Sequence, residues 1–187
     1  ISIAQNDNYQ VNEDNSLNGN VALNDSDAQN GAPNENNGPL SAQVVAGPSN
    51  AGSFTLNADG TFTYTPIANF NGADSFTYVI VDSLGGTSNI ATVAITIDSV
   101  NDAPIAQNDS FNVPGNLPYS GNVLNNDSDN QGGAPNENNI PLSAQLVTGP
   151  AHASSFILNA DGTFSYQPAI GYVGSDTFTY VVTDSLG

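Results

Sequence analysis

The 187-residue chain carries 18 Asp and Glu, no Lys or Arg and one His, for a formal net charge of -18. No basic patch can be built from its side chains, which excludes nucleic-acid binding by phosphate neutralisation and direct contact with anionic membranes. Zero Cys removes disulfides and thiolate chemistry and a lone His removes His-pair zinc sites, so oxygen chemistry remains.

The apolar fraction is low, at 38%, but eight Phe, seven Tyr and many alternating Val, Ile and Thr mark half-buried strands, so an all-β fold is expected. In chain order, a first strand is predicted near Tyr9 to Val11, a second at Val21 to Leu23 and a third over Leu40 to Ala46. Ser53 to Asn57 and Thr61 to Thr65 place Phe54, Leu56, Phe62 and Tyr64 at alternating positions around Ala58-Asp59-Gly60, which predicts a hairpin. Phe76, Tyr78 and Ile80 share one face of the run Asp74 to Asp82, as do Ala91, Val93, Ile95 and Ile97 between Asn89 and Ile97. About seven short strands separated by turn signals give the spacing of a β-sandwich. No stretch has helical periodicity, and there is no start Met, signal peptide or long apolar run.

The whole pattern occurs twice. A shift of 102 positions aligns Ala4–Gly85 with Ala106–Gly187 without a gap, and 50 of the 82 pairs are identical. Two tandem domains follow, residues 1–102 and 103–187, each long enough for a small core. The second has no counterpart of Ser88 to Ile97, so its last strand is missing; the sequence stops at Leu186-Gly187 partway through a pattern that the first repeat completes, as a piece of a longer chain would. Between the repeats, Asp98-Ser99-Val100-Asn101-Asp102-Ala103-Pro104 is short and acidic, and Pro104 biases Ala103 toward an extended conformation.

The acids are clustered in a chain that has no Lys or Arg to neutralise them: Glu13-Asp14, Asp25 with Asp27, Asp98 with Asp102, Asp109, and Asp127 with Asp129. Two carboxylates about 4 Å apart repel by roughly 4 kcal/mol at an effective dielectric near 20, so close clusters need a cation or raised pKa values. Hard oxygen ligands without His or Cys suit calcium better than magnesium.

At these residues the sequence resembles a family. Ile97-Asp98-Ser99-Val100-Asn101-Asp102-Ala103-Pro104 is similar to the Asp-x-Asn-Asp-x-Ala-Pro calcium linker of cadherins with one residue inserted. The ordered series AQND, NDSD, LNADGTF and DSFTYVIVDSLGG resembles the cadherin-like or bacterial Ig-like tandem repeats of giant secreted adhesins, including those of RTX type. The resemblance implies two tandem antiparallel β-sandwiches, stiffened by calcium, that act as an extracellular spacer in a bacterial surface or secreted adhesin. Their partners would be neighbouring repeats, with glycans or a host surface met through other parts of the parent, and the fragment is expected to be a monomer.

Carried over, the resemblance assigns calcium to Asp98, Asn101 and Asp102 of the linker, Glu13 of the first repeat, and Asp127, Asp129 and Asp184 of the second; Asp109 is added because it is close in sequence to the linker. Asp7, Asp25, Asp27 and Asp82 would serve the junction before the first repeat. Two departures stand out: nothing matches the cadherin Leu-Asp-Arg-Glu motif, and Glu13-Asp14 becomes Gly115-Asn116 in the second repeat. Asp25, Asp27 and Glu35 only loosely resemble an EF-hand, with the acidic end and Gly31 at the wrong positions. Asp59 and Asp161 read as turn residues, as do Asp74 and Asp176 at strand starts.

Two other function classes compete. A glycosidase needs one catalytic carboxylate pair in a cleft, whereas seven acids of the first repeat recur in the second, which argues for a module and not an enzyme. One His, His152, which replaces Asn50, cannot furnish a Ser-His-Asp set twice. A calcium-dependent carbohydrate-binding module would need an aromatic platform; there is no Trp, and the loop aromatics are Phe70, Tyr119 and Tyr172. Docking by an exchanged Trp, as in animal cadherin adhesion, is excluded by the same absence.

Overall fold

Alternation of apolar and polar residues sets the strands of the first repeat. The computed structural model describes residues 2–27, 39–129 and 140–186, and within them β1 (Asp7–Asn12), β2 (Leu17–Asn20), β3 (Ser41–Ala46), β4 (Ala51–Leu56), β5 (Thr61–Pro66), β6 (Gly72–Val81) and β7 (Ala91–Asp98) form in order. They make a four-stranded sheet, β1-β7-β6-β3, and a three-stranded sheet, β2-β5-β4. Pairing is antiparallel except that β1 lies parallel to β7, from Asp7 opposite Val93 to Asn12 opposite Asp98. The expected inward faces meet: Phe62 and Tyr64 of one sheet pack with Phe76, Tyr78, Ile80, Val93 and Ile95 of the other, and the Phe62 and Phe76 rings sit edge-on at 5.2 Å. A Cβ at Gly19 of β2 would overlap the Phe62 ring, so the smallest residue sits where the aromatic layer is tightest.

One expected strand takes another form. Val21–Leu23 is a single 3-10 turn after β2, because the Asn20 side chain accepts a hydrogen bond from the Ala22 amide at 2.9 Å and bends the backbone. Val21 is still fully buried, so its hydrophobicity reports burial and not strand geometry.

The second repeat contains β8 (Tyr119–Asn122), β9 (Ser143–Thr148), β10 (Ala153–Leu158), β11 (Thr163–Pro168) and β12 (Thr179–Thr183). These form a three-stranded sheet, β10-β11-β8, and a two-stranded sheet, β12-β9. Its core is a smaller cluster around Val123, Ala144 and Phe164. Asn122 caps a second 3-10 turn as Asn20 does. The chain divides into two compact units, with the break between Val100 and Asn101. Among the described residues, no helix is long and apolar enough to cross a membrane. The loosely EF-hand-like Glu35 and Gly31 lie outside the described residues.

Candidate functional site

At the end of the first repeat, the parallel register brings Asn12 opposite Asp98, and the next amide, of Glu13, donates to the Asp98 carbonyl at 2.9 Å. The Glu13 side chain turns inward, only 1% exposed. Its Oε1 accepts from the Val100 amide at 2.5 Å, while its Oε2 is buried without a hydrogen-bond partner. A buried carboxylate with one bare oxygen is costly unless a positive charge reaches it, and this chain has no Lys or Arg to send. Asp14, at φ 58°, accepts from the Asn69 amide at 3.0 Å and pins the adjoining turn, and Asp98 accepts from the Gln10 amide group at 2.5 Å on the surface.

Asn71 belongs to the same end and was missed by motif reasoning. It precedes Gly72, which pairs with Ile97, so it stands one step beyond the end of the ladder on the other flank of β7 from Glu13. Asn71 is 5% exposed and its Nδ2 also lacks a partner. The signal was available by comparing the repeats: Glu13 and Asn71 become Gly115 and Val173 together, so the second repeat lacks both buried polar groups.

At the opposite end of each repeat the acids are held differently. In the second repeat, the Asn101 amide donates to Asp184 Oδ2 at 2.9 Å, and Asp184 Oδ1 accepts from the Leu186 amide. Asp129 is 2% exposed and Asp102 half-buried. Ile105 and Ser128 bridge in both directions, which fixes the Asp127 to Asp129 loop beside the segment that follows Asp102. The first repeat repeats the theme: the Ser2 hydroxyl donates to the buried Asp27 at 3.1 Å, and Asp82 accepts from the Leu84 and Gly86 amides.

Asp109 and Asp127 share a partner, Tyr180, the counterpart of Tyr78 in the second repeat. The Tyr180 hydroxyl lies 2.9 Å from Asp109 Oδ2, 3.1 Å from Asp127 Oδ2 and 3.1 Å from the Gln107 carbonyl. Tyr78 stands likewise between Asp7, at 3.0 Å, and Asp25, at 3.1 Å. A buried Tyr face needs a partner for its hydroxyl, and here one donor serves several acceptors. Burial first, then the adjacent carboxylates, pushes both phenols well above their usual range. Burial, reinforced by the Asp25 charge and opposed by the Tyr78 hydrogen bond, holds Asp7 above the usual carboxylate range; burial also raises Asp25 and Asp109.

The raised values carry a sign. The folded state binds protons that the unfolded state releases, so this contribution is fully present below the ordinary carboxylate range and is lost as pH rises through the raised values. In chelator-treated protein, Asp7→Asn is therefore expected to melt higher than the parent at neutral pH, with the gap closing as the pH falls. Melting curves across pH check this, and a gap independent of pH would reject it.

Asp74 and Asp176 hold turns, as expected at strand starts, and do so through a dense set of donors. Asp74 accepts from the Ser49, Asn50 and Ser75 amides and from the Tyr64 hydroxyl, at 2.8 to 3.0 Å. Asp176 accepts from the corresponding groups of the second repeat; burial raises it, but the His152, Ala151, Tyr166 and Thr177 hydrogen bonds prevail and hold it below the usual range. Of the loop aromatics, Phe70 packs on the core, Tyr119 lies in β8, and Tyr172 stacks on His152 with centroids 4.1 Å apart.

The eight assigned residues thus fall in separate places: Glu13 with Asp98, Asn101 with Asp184, Asp109 with Asp127 on Tyr180, and Asp102 and Asp129 nearby in sequence. Among the described residues, no three His, Cys, Asp or Glu side chains gather as a preformed metal cluster. The buried Glu13 carboxylate with its bare oxygen is the feature that fits a hard cation.

Comparison with known proteins gives two family matches: residues 2–99 match the bacterial cadherin-like domain and residues 101–187 the bacterial Ig domain. No curated protein sequence matches. Among solved structures, the chain is similar to the protocadherin GammaB4 extracellular domain, 16% identical over 98% of this chain and 32% of that one, with a TM-score of 0.52. It is also similar to Drosophila N-cadherin EC1-4, 12% identical over 96% of this chain and 43% of that one, with a TM-score of 0.50. An endo-fucoidan hydrolase from glycoside hydrolase family 107 aligns over 98% of this chain and 26% of its own, 17% identical with a TM-score of 0.38, too low to compare folds. The chain spans well under half the length of each of these structures.

Proposed function

Because the chain belongs to the bacterial cadherin-like domain family, with a bacterial Ig domain in tandem, we propose that it is a calcium-stiffened spacer in a large bacterial surface or secreted adhesin. Its place is outside the cell, and its direct partners are neighbouring repeats of the same chain. Recognition of glycans or of a host surface belongs to other parts of the parent protein. The observation that carries this reading is the buried Glu13 carboxylate with a bare Oε2 in a chain without Lys or Arg. In the first repeat Glu13 and Asp98 would hold the ion; in the second, Asn101, Asp102, Asp129 and Asp184 would. Calcium supplies the positive charge that cancels repulsion among these acids, and the freedom of the segment from Asp98 to Asp102 falls with it.

Extracellular modules of this kind bind calcium with dissociation constants of about 0.1 to 1 mM. Small-angle scattering titrated with calcium is expected to change over that range and to revert with chelator, and Asp102→Asn to shift the titration to higher calcium. A profile that ignores calcium, or a titration identical in Asp102→Asn, would reject the spacer reading or that assignment respectively. The alternative of a glycan-binding module loses two of its three loop aromatics to the fold, since Phe70 and Tyr119 pack within it.

A further inference from the structure

In the first repeat two consecutive strands are sheet edges: β3 ends the order β1-β7-β6-β3, and β4 ends the order β2-β5-β4. Their counterparts β9 and β10 are edges too. An edge strand offers unpaired amides and carbonyls to any other strand, and proteins blunt such edges with charge, Pro, a cover or a bulge. Charge is missing here. No acidic residue lies between Glu35 and Asp59 or between Glu137 and Asp161, and the chain has no Lys or Arg. The edges carry exposed aliphatic side chains instead, Val44 and Val45 at 44% and 50%, Leu146 and Val147 at 41% and 61%.

All four of these strands are bulged. Val44 lies opposite Tyr78 and Ala46 opposite Thr77, so Val45 is an extra residue in β3. Val147 is extra in the same way, between Leu146 opposite Tyr180 and Thr148 opposite Thr179. Gly52 and Ser154 are the extra residues of β4 and β10, where the facing strand ends in Pro66 or Pro168 and has no amide to donate. The Ser154 hydroxyl folds back onto the Gln167 and Pro168 carbonyls at 3.2 and 3.1 Å.

In β3 the bulge shortens the open edge. Outward amides on a regular strand recur at every second residue. Ala42 lies opposite Ile80, but its amide points away from β6 and donates to the Ala58 carbonyl of the β4–β5 turn at 2.9 Å; Ala144 and Ala160 repeat this bond. Val44 is the next outward amide. The extra residue then shifts the alternation by one, so the Ala46 amide turns toward β6 and the run of outward donors stops.

We propose that these bulges, and not the negative charge, keep copies of this chain from pairing edge to edge through β3. The excluded partner is the β3 of a second copy, which presents the same uncharged edge and the same exposed Val44 and Val45. This inference stands apart from the calcium reading, and its test is run in chelator.

The test deletes Val45 from the whole chain. The pairs on either side stay as they are, Val44 with Tyr78 and Ala46 with Thr77, while the alternation becomes regular and the edge lengthens through Gly47. Sedimentation is expected to show a dimer. At about ten times the dissociation constant of that dimer, amide exchange at 41–46 is expected to slow about tenfold relative to the diluted monomer. Adding Val44→Pro to the deletion removes the outward amide and is expected to restore the monomer. The parent is expected to stay monomeric even in 1 M salt, where the screening length falls to about 3 Å. Three results overturn the inference: a folded deletion variant that remains monomeric, a parent that associates through 41–46 at high salt, or a deletion that opens the whole first repeat to exchange, which would make Val45 a packing residue.

Discussion

Asp74→Ala is expected to cost the first repeat about 3 kcal/mol and to lower its melting temperature by roughly 15 °C, because four donors lose one acceptor at once. Asp74 is 9% exposed and gathers the Ser49, Asn50 and Ser75 amides with the Tyr64 hydroxyl, tying the turn between β3 and β4 to the start of β6. Tyr64 is fully buried, so its hydroxyl is left facing Asn50 alone at 3.5 Å. Asp74→Asn keeps one oxygen and is expected to lose about half as much. In the second repeat Asp176 accepts from the corresponding amides, which lie near solvent where water replaces the lost acceptor, so Asp176→Ala should cost clearly less. Calorimetric scans of the three variants decide the matter: equal losses in the two repeats would show that burial does not set the cost.

Glu13→Gln is expected to reverse sign with calcium. In chelator, removing a buried charge that has no compensating cation should raise the melting temperature of the first repeat, by an amount worth about 1 to 3 kcal/mol. In millimolar calcium the order should invert, because the variant loses the ion's stabilisation, which for a parent at 100 times its dissociation constant is about 2.7 kcal/mol. Gln retains an oxygen to accept from the Val100 amide, so the backbone contact survives and the comparison isolates the charge. Thermal melts of parent and variant with and without calcium test both halves. A variant less stable than the parent in both buffers would mean that Glu13 is a packing residue, and the calcium reading would lose its main support.

Much of the fold was legible because these strands are half-buried and their faces alternate. From β3 to β7 each inward series, such as Phe76, Tyr78 and Ile80, was readable at a spacing of two. Val21 to Leu23 was misread because a fully buried Val beside an Asn says nothing about backbone direction, and the Asn20 cap decided it. The parallel pairing of β1 with β7 was invisible, since register between distant strands depends on the closed topology and not on local pattern. At the candidate site, Glu13 was reachable through a resemblance. Asn71 was reachable only by setting one repeat against the other. Tyr78 was placed on an inward strand face for good reason, and the carboxylates around its hydroxyl, like those around the Tyr180 hydroxyl, come from loops far away in sequence.

The parallel pair of β1 and β7 has a mechanical meaning. These are the first and last strands of the repeat, six opposed residue pairs that run in the same direction. Tension applied at the two ends of the repeat pulls such strands past each other lengthwise, so the ladder resists in shear, all of its bonds loaded together, and does not peel open one bond at a time. A tether exposed to drag gains toughness from this arrangement without any gain in equilibrium stability.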